Sequence, residues 1–286
     1  VSTAALLPTP GDPKLARYWL NNYRQKWQGE VDELHVLING SASAEHLYRS
    51  VGARVTVINR KLGHGQAMRA LLDDCSAETV VFVEDDAFVR EPGAISERLR
   101  LAGSGCVVGC PRGGMDPVIG QAAETKWGPV VGPDGSSGHG LWPAFLFARR
   151  SDLMDTDRRF ESWTWSQGEP IPGLGFQVPS SMTTDTMTAV AFQLRDRVPI
   201  VLDVNYKELY QKQFPGSAPW FHAGGLSNDP DSAREGMGDS NEGRDWAHRF
   251  WWWRRIGYDH REQIARAGVD VDYWTPIIEP WINWDE

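Results

Sequence analysis

Apolar residues in the first ninety positions fall into short runs separated by polar, helix-spaced segments. Ala4 to Leu7 is an apolar run ended by Pro8 and reads as a first strand. Pro13 to Trp27 has helical spacing, with Leu15, Trp19, Leu20 and Tyr23 on one face. Leu34 to Ile38 is a second strand, stopped by the turn pair Asn39-Gly40. Ala44 to Ser50 reads as a short helix and Val55 to Ile58 as a third strand. Gly65 to Asp74 is a helix with Ala67, Met68, Ala70 and Leu71 turned inward. Thr79 to Val83 is an unbroken β-branched and aromatic run, the pattern of a strand buried on both faces. This alternation predicts an α/β fold: a mostly parallel, Rossmann-like sheet flanked by helices. Ligands of such sheets bind outside the carboxyl ends of the strands.

The second half is less periodic. Gly103 to Gly140 reads as extended loops, and Leu141 to Ala148 is another apolar run. Glu161 to Pro179, rich in Trp, Gly and Pro, reads as a surface loop. Thr184 to Leu194 predicts a helix with Met187, Val190, Ala191 and Leu194 on one side, and Val198 to Val204 a last strand. Gly224 to Gly243 is polar and Gly-rich, a mobile loop by composition. Trp246 to Ala267 predicts a helix, followed by a tail with Trp274, Trp281 and Trp284. No internal repeat is visible.

Composition narrows the function classes. With 286 residues, 41% hydrophobic and 23% charged, the chain has material for a sizeable core. A net charge of −9 argues against a nucleic-acid partner, whose phosphates demand a basic surface. An acidic protein still binds an anionic nucleotide if a divalent cation sits between them. Cys75, Cys106 and Cys110 form no CxxC pair and read as free thiols of a reducing compartment. No run of eighteen apolar residues suggests a membrane helix, and Val1 to Pro10 lacks the basic start of a signal peptide. The expected location is soluble and cytoplasmic, with peripheral membrane attachment as the alternative. The 14 Trp residues include Trp163, Trp165 and the run Trp251-Trp252-Trp253. Core packing is the first reading of these. A stacking platform, or an interfacial anchor beside Arg249, Arg254 and Arg255, are the others.

Glu84, Asp85 and Asp86 follow directly on the fourth strand. Adjacent carboxylates repel, and a hard divalent cation with oxygen ligands offsets that repulsion. A solvated acidic turn is the simpler reading of the triplet alone. Its place after a doubly buried strand favours the metal.

The stretch Asn59-Arg60-Lys61-Leu62-Gly63-His64-Gly65-Gln66-Ala67-Met68-Arg69-Ala70-Leu71, followed by Val80-Val81-Phe82-Val83-Glu84-Asp85-Asp86, resembles the nucleotide-sugar half of GT-A-type glycosyltransferases of the family-two kind. In that family a Gly-containing loop and helix precede a strand ending in a DxD-type motif. Here Glu84 stands in place of the first Asp, an EDD variant. The resemblance implies a nucleoside-diphosphate sugar donor and Mn²⁺ or Mg²⁺. By it, Asp86 ligates the metal, Asp85 and Glu84 contact ribose or sugar, and Gly65 belongs to the donor loop and helix. Thr9 and Asn39 occupy strand ends where the fold holds base and ribose, though Asn39 also suits a plain turn. Lys61 and Arg60 are placed to meet phosphates, or are simply solvated. In Thr183-Thr184-Asp185-Thr186, Asp185 matches the chain position of the general base of inverting members. It equally suits a helix first turn, in which case retention stays open. His222 in Trp220-Phe221-His222-Ala223-Gly224-Gly225 resembles the family's late metal ligand, imidazole being suited to Mn²⁺.

The implied organisation is a catalytic domain over 1–245, with a nucleotide-sugar half over 1–100 and an acceptor half over 101–245. A Trp-rich helical extension over 246–286 packs on it. The acceptor is a glycan, a small molecule or, against the charge, a DNA base. A nucleotidyltransferase is the rival enzyme, but Leu7-Pro8-Thr9-Pro10-Gly11-Asp12 lacks its Gly-rich, basic signature. A non-catalytic binding module is the rival outside enzymes.

Overall fold

The computed structural model describes residues 1–60, 62–89, 91–109, 111–112, 140–141, 143–170, 177, 182–184, 186–195, 197–202 and 219–222. The first strand, β1, spans Thr3–Thr9 and leads into helix α1, Pro13–Asn22. Asp12 caps that helix: its carboxylate accepts from Leu15 N at 3.0 Å, and Pro13 fills the first helical position without wasting a donor. A π-helical turn, Tyr23–Trp27, ends the helix. Then follow β2, Glu33–Asn39, a 3-10 turn at Ala42–Ala44, and α2, Glu45–Arg49. β3, Arg54–Ile58, α3, His64–Asp74, and β4, Thr79–Phe82, complete the regular region. The single helix expected over Pro13 to Trp27 is thus broken at Asn22, whose side-chain amide is diverted to the backbone of Val89.

After the acidic triplet come β5, Ala87–Val89, α4, Ala94–Gly103, and β6, Val107–Gly109. Two-residue strands β7, Pro111–Arg112, and β8, Gly140–Leu141, pair with each other. β9 is Leu146–Arg149 and α5 is Arg150–Met154. β10, Trp163–Trp165, and β11, Met182–Thr184, form an antiparallel pair. α6, Thr188–Arg195, β12, Ile200–Leu202, and β13, Trp220–His222, complete the described elements.

Seven strands make the main sheet in the order β12-β6-β9-β4-β1-β2-β3. The β1–β2, β1–β4, β2–β3 and β12–β6 pairs are parallel, while β9 runs antiparallel to β4 and β6. The sheet is therefore mostly parallel, as the alternation of patterns requires, with one reversed strand inserted. Alternate side chains feed two cores. One face packs Ala5, Leu7, Val36, Ile38 and Val81 with α1, α2 and α4 residues such as Trp19, Tyr48 and Leu99. The other packs Ala4, Leu6, Leu37, Val80 and Phe82 with α3, α5 and α6 residues such as Leu71, Leu153 and Val190. Trp19, Trp27 and Trp220 are fully buried, the core reading for these three.

Three expectations are corrected. Val107–Gly109 lies within the span read as loops, yet pairs with β12 in the main sheet. Trp163–Trp165, read as surface loop, is a strand. Thr184 does not start a helix: it pairs across from Trp163, and α6 starts only at Thr188. Between them Met187 adopts a left-handed φ of 70°, and its N–H donates to Phe160 O at 2.9 Å. Cross-strand pairing and that tether outcompete helix propensity there. No helix among the described residues is long and apolar enough to cross a membrane. The Gly224 to Gly243 loop, the Trp246 to Ala267 helix, the tail and Cys110 lie outside the described residues.

Candidate functional site

Strand order reverses at β1: the chain runs outward through β2 and β3, then returns to place β4 on the other side of β1. The crevice at such a switch point, beyond the carboxyl ends of the strands, is where this class of sheet holds ligands. Thr9 ends β1, and Glu84-Asp85-Asp86 follow β4, so both stand at that crevice.

The two strand ends are joined by a side-chain bond. The Thr9 hydroxyl donates to Asp85 Oδ2 at 2.8 Å, and Thr9 Oγ1 accepts from Gly11 N at 3.2 Å. Gly11 is obligatory here. Its φ is +84°, and a Cβ would lie 2.1 Å from Ser41 O and 2.6 Å from Ile38 Cγ2. The β1–α1 turn thus lies flat against the residues after β2, and Ser41 N donates to Pro10 O at 3.2 Å.

The acidic residues sit in a turn closed by Ala87 N donating to Glu84 O at 3.1 Å. Asp85 and Asp86 are each 4% exposed, while the Glu84 side chain is 14% exposed. Two adjacent buried carboxylates carry desolvation and mutual repulsion, which a cation relieves. Their oxygens are the donor type a hard divalent ion takes. Among the described residues no group of three His, Cys, Asp or Glu side chains converges on one point as a metal cage. The His64 imidazole, on the first residue of α3, lies 3.8 Å from Glu84 Oε1 and is 39% exposed.

β13 arrives from the far end of the chain. It pairs antiparallel with β5 in the register Trp220↔Val89, Phe221↔Phe88 and His222↔Ala87. The backbone of His222 is therefore opposite the residue that follows Asp86. The other edge of β5 is held by Asn22, whose side chain donates to Val89 O at 2.7 Å and accepts from Val89 N at 2.8 Å. Trp220 anchors the strand against Phe145 and Phe147, with centroids 5.0 and 5.8 Å away.

Asn39 has a definite local task. Its amide donates to Leu62 O and accepts from Leu62 N, both at 2.6 Å, clamping the loop before α3 to the end of β2. Gly65 has one too. A Cβ there would lie 2.4 Å from Glu161 N and Phe160 C, so α3 could not approach that segment with any larger residue. Arg69, one turn further on, donates through Nε and a terminal nitrogen to Arg158 O at 3.0 and 2.7 Å. Lys61 and Asp185 lie outside the described residues.

The structure thus gathers Thr9, Asp85, Asp86, Glu84 and the His222 backbone near one crevice. Sequence reading passed over His64 and Tyr48. His64 stood inside the quoted stretch, one residue before Gly65, so its helix-start position was a usable signal. Tyr48 gave none: it reads as an ordinary apolar position of a short helix, yet it is fully buried beside Thr9. Burial, and then the Asp85 charge, push its phenol well above the ordinary tyrosine range.

No protein-family model matches the chain, and no curated protein matches it. Solved structures do. The chain is similar to glucosyl-3-phosphoglycerate synthase from Mycobacterium tuberculosis, crystallised with Mn²⁺, uridine-diphosphate-glucose and phosphoglyceric acid. The identity is 23% and the TM-score 0.40, over 54% of this chain and 59% of the synthase. It is also similar to residues 1–349 of TarS from S. aureus, at 13% identity and a TM-score of 0.44, over 98% of this chain and 80% of that one. A mycobacterial protein matches at 18% identity and a TM-score of 0.39, over 58% of this chain and 56% of that one. The chain spans less than two thirds of the length of the synthase.

Proposed function

We propose that the chain is a metal-dependent glycosyltransferase that moves a sugar from a nucleoside diphosphate to an acceptor hydroxyl. The observation that carries this reading is the Thr9–Asp85 bond across the switch-point crevice, with Asp86 next in the chain and the end of β13 alongside. The resemblance of the 59–86 stretch to GT-A-type enzymes supports it.

In this reading Asp85 and Thr9 receive the nucleoside, and Glu84 and His64 border the sugar-phosphate. Asp86 would hold Mn²⁺ or Mg²⁺, with His222 as a second protein ligand. That cation would supply charge compensation for a leaving diphosphate, an interaction stronger in the transition state than in the ground state. The protein's own residues do the rest. Burial of Asp85 fixes its carboxylate for hydroxyl recognition, since a bond to a charged acceptor is about twice as strong as a neutral one. Asp185 serves as the base that takes the acceptor proton, and attack opposite the diphosphate inverts the anomeric centre.

The test is turnover with a nucleoside-diphosphate sugar and acceptor, comparing the parent with Asp185→Asn. A carboxylate base contributes about a hundred- to ten-thousand-fold, so Asp185→Asn should bind donor normally and lose most transfer. Transfer within a few-fold of the parent would remove Asp185 from the mechanism and leave inversion without support.

A further inference from the structure

Among the described residues, four buried side-chain atoms lack a hydrogen-bond partner: His35 Nδ1, Tyr48 OH, Thr79 Oγ1 and Trp220 Nε1. Three of these lie away from the crevice, in the core or toward the amino end of the sheet. Tyr48 is different. It lies on α2 with no exposed surface, and its hydroxyl is directed at Thr9 and at the charges of Asp85 and Asp12. Its ring is held by Trp19, centroids 6.3 Å apart at 60°, so the hydroxyl is aimed by packing. It lies close to Thr9 without reaching hydrogen-bonding geometry.

A buried hydroxyl without a partner is costly, and native folds rarely keep one without a use. Phenylalanine would fill the same space at no such cost. The partner that Tyr48 lacks is adjacent. Thr9 Oγ1 spends its hydrogen on Asp85 and one lone pair on Gly11 N, and its second lone pair can accept one further donor.

Resting on the reading of Asp85 as a donor contact, we infer that Tyr48 is a positioning residue that acts through Thr9. When a nucleotide engages Asp85 and the crevice tightens, the Tyr48 hydroxyl donates to Thr9 Oγ1. This completes a buried chain from Tyr48 through Thr9 to Asp85. Each bond in such a chain polarises the next, so the carboxylate is held ionised and aimed at the ligand. Tyr48 itself touches no substrate. Its hydroxyl is kept unsatisfied in the empty protein and satisfied in the bound one, which places its contribution in binding rather than in folding.

The experiment uses the full chain, with UDP, GDP and TDP as probes in the presence of Mn²⁺, and compares the parent with Tyr48→Phe. Affinity for whichever probe the parent binds should fall about three- to tenfold, the scale of one hydrogen bond, while the melting temperature stays level or rises. A merely structural Tyr48 would lower the melting temperature and leave affinity alone. The same comparison in a Thr9→Val background isolates the route: with Thr9 gone, Tyr48→Phe should cost nothing further. Equal affinity of parent and Tyr48→Phe overturns the Tyr48 assignment while the donor site stands. An undiminished effect of Tyr48→Phe in the Thr9→Val background overturns the route through Thr9. Absence of binding of every probe to the parent overturns the donor site and this inference together.

Discussion

The Thr9 hydroxyl and the Asp85 carboxylate meet at 2.8 Å across the ends of β1 and β4, joining the two strands between which the chain reverses its course through the sheet. Thr9→Val removes the donor and keeps the shape. It should lower stability by about 1–3 kcal/mol, because a buried carboxylate loses a bond, and should weaken nucleotide binding as well. Urea unfolding and a binding isotherm on one preparation read both. Unchanged values in both would mean that the bond holds nothing at the crevice.

Gly65 should be intolerant for a packing reason. A methyl group there collides with the backbone of Phe160 and Glu161 at 2.4 Å, and backbone yields less readily than a side-chain tip. Gly65→Ala should destabilise by about 1–3 kcal/mol, the range for overpacking. Because Phe160 O also tethers Met187 N, the displacement should reach the segment after β11. Hydrogen exchange at Met187 should quicken in the variant. A variant of full stability and normal exchange would show the contact to be soft.

Asn39→Ala should free the loop that carries Leu62. Both halves of the Asn39 amide are committed to that residue's backbone, and alanine replaces neither bond. The expected loss is about 1–3 kcal/mol together with faster exchange at Leu62. Retained protection at Leu62 would assign the loop's order to other contacts.

The first third of the fold was legible because its strands are continuous β-branched runs and its helices carry clean apolar faces. Even there, the break at Asn22 was hidden, since it follows from a bond to Val89, 67 positions away. α4 was hidden for a similar reason. Its amino end is capped in trans by Glu30, which accepts from Gly93, Ile95 and Ser96 N, and no local capping residue announces it. The apolar run from Leu141 to Ala148 signals burial but not strand direction, and β9 proved antiparallel. The acidic turn was visible as a motif, and Thr9 as a strand end. Their bond to each other, and Tyr48 behind it, exist only after the strands assemble.

His222 tests the far end of the site. β13 sets its backbone opposite Ala87, so His222→Ala should preserve the β5 pairing while weakening metal-dependent activity about tenfold or more. The check is activity titrated with Mn²⁺ beside a melting curve. Normal activity at limiting Mn²⁺ would make His222 structural only.

The central claim is that the acidic turn binds a nucleotide through a divalent cation, and one binding measurement addresses it. Isotherms of UDP, GDP and TDP are recorded for the parent and for Asp86→Ala, with Mn²⁺ and with EDTA. The parent should bind one of them with Mn²⁺, lose it in EDTA, and Asp86→Ala should bind none in either condition. Binding by Asp86→Ala in EDTA as tight as that of the parent in Mn²⁺ would contradict the account.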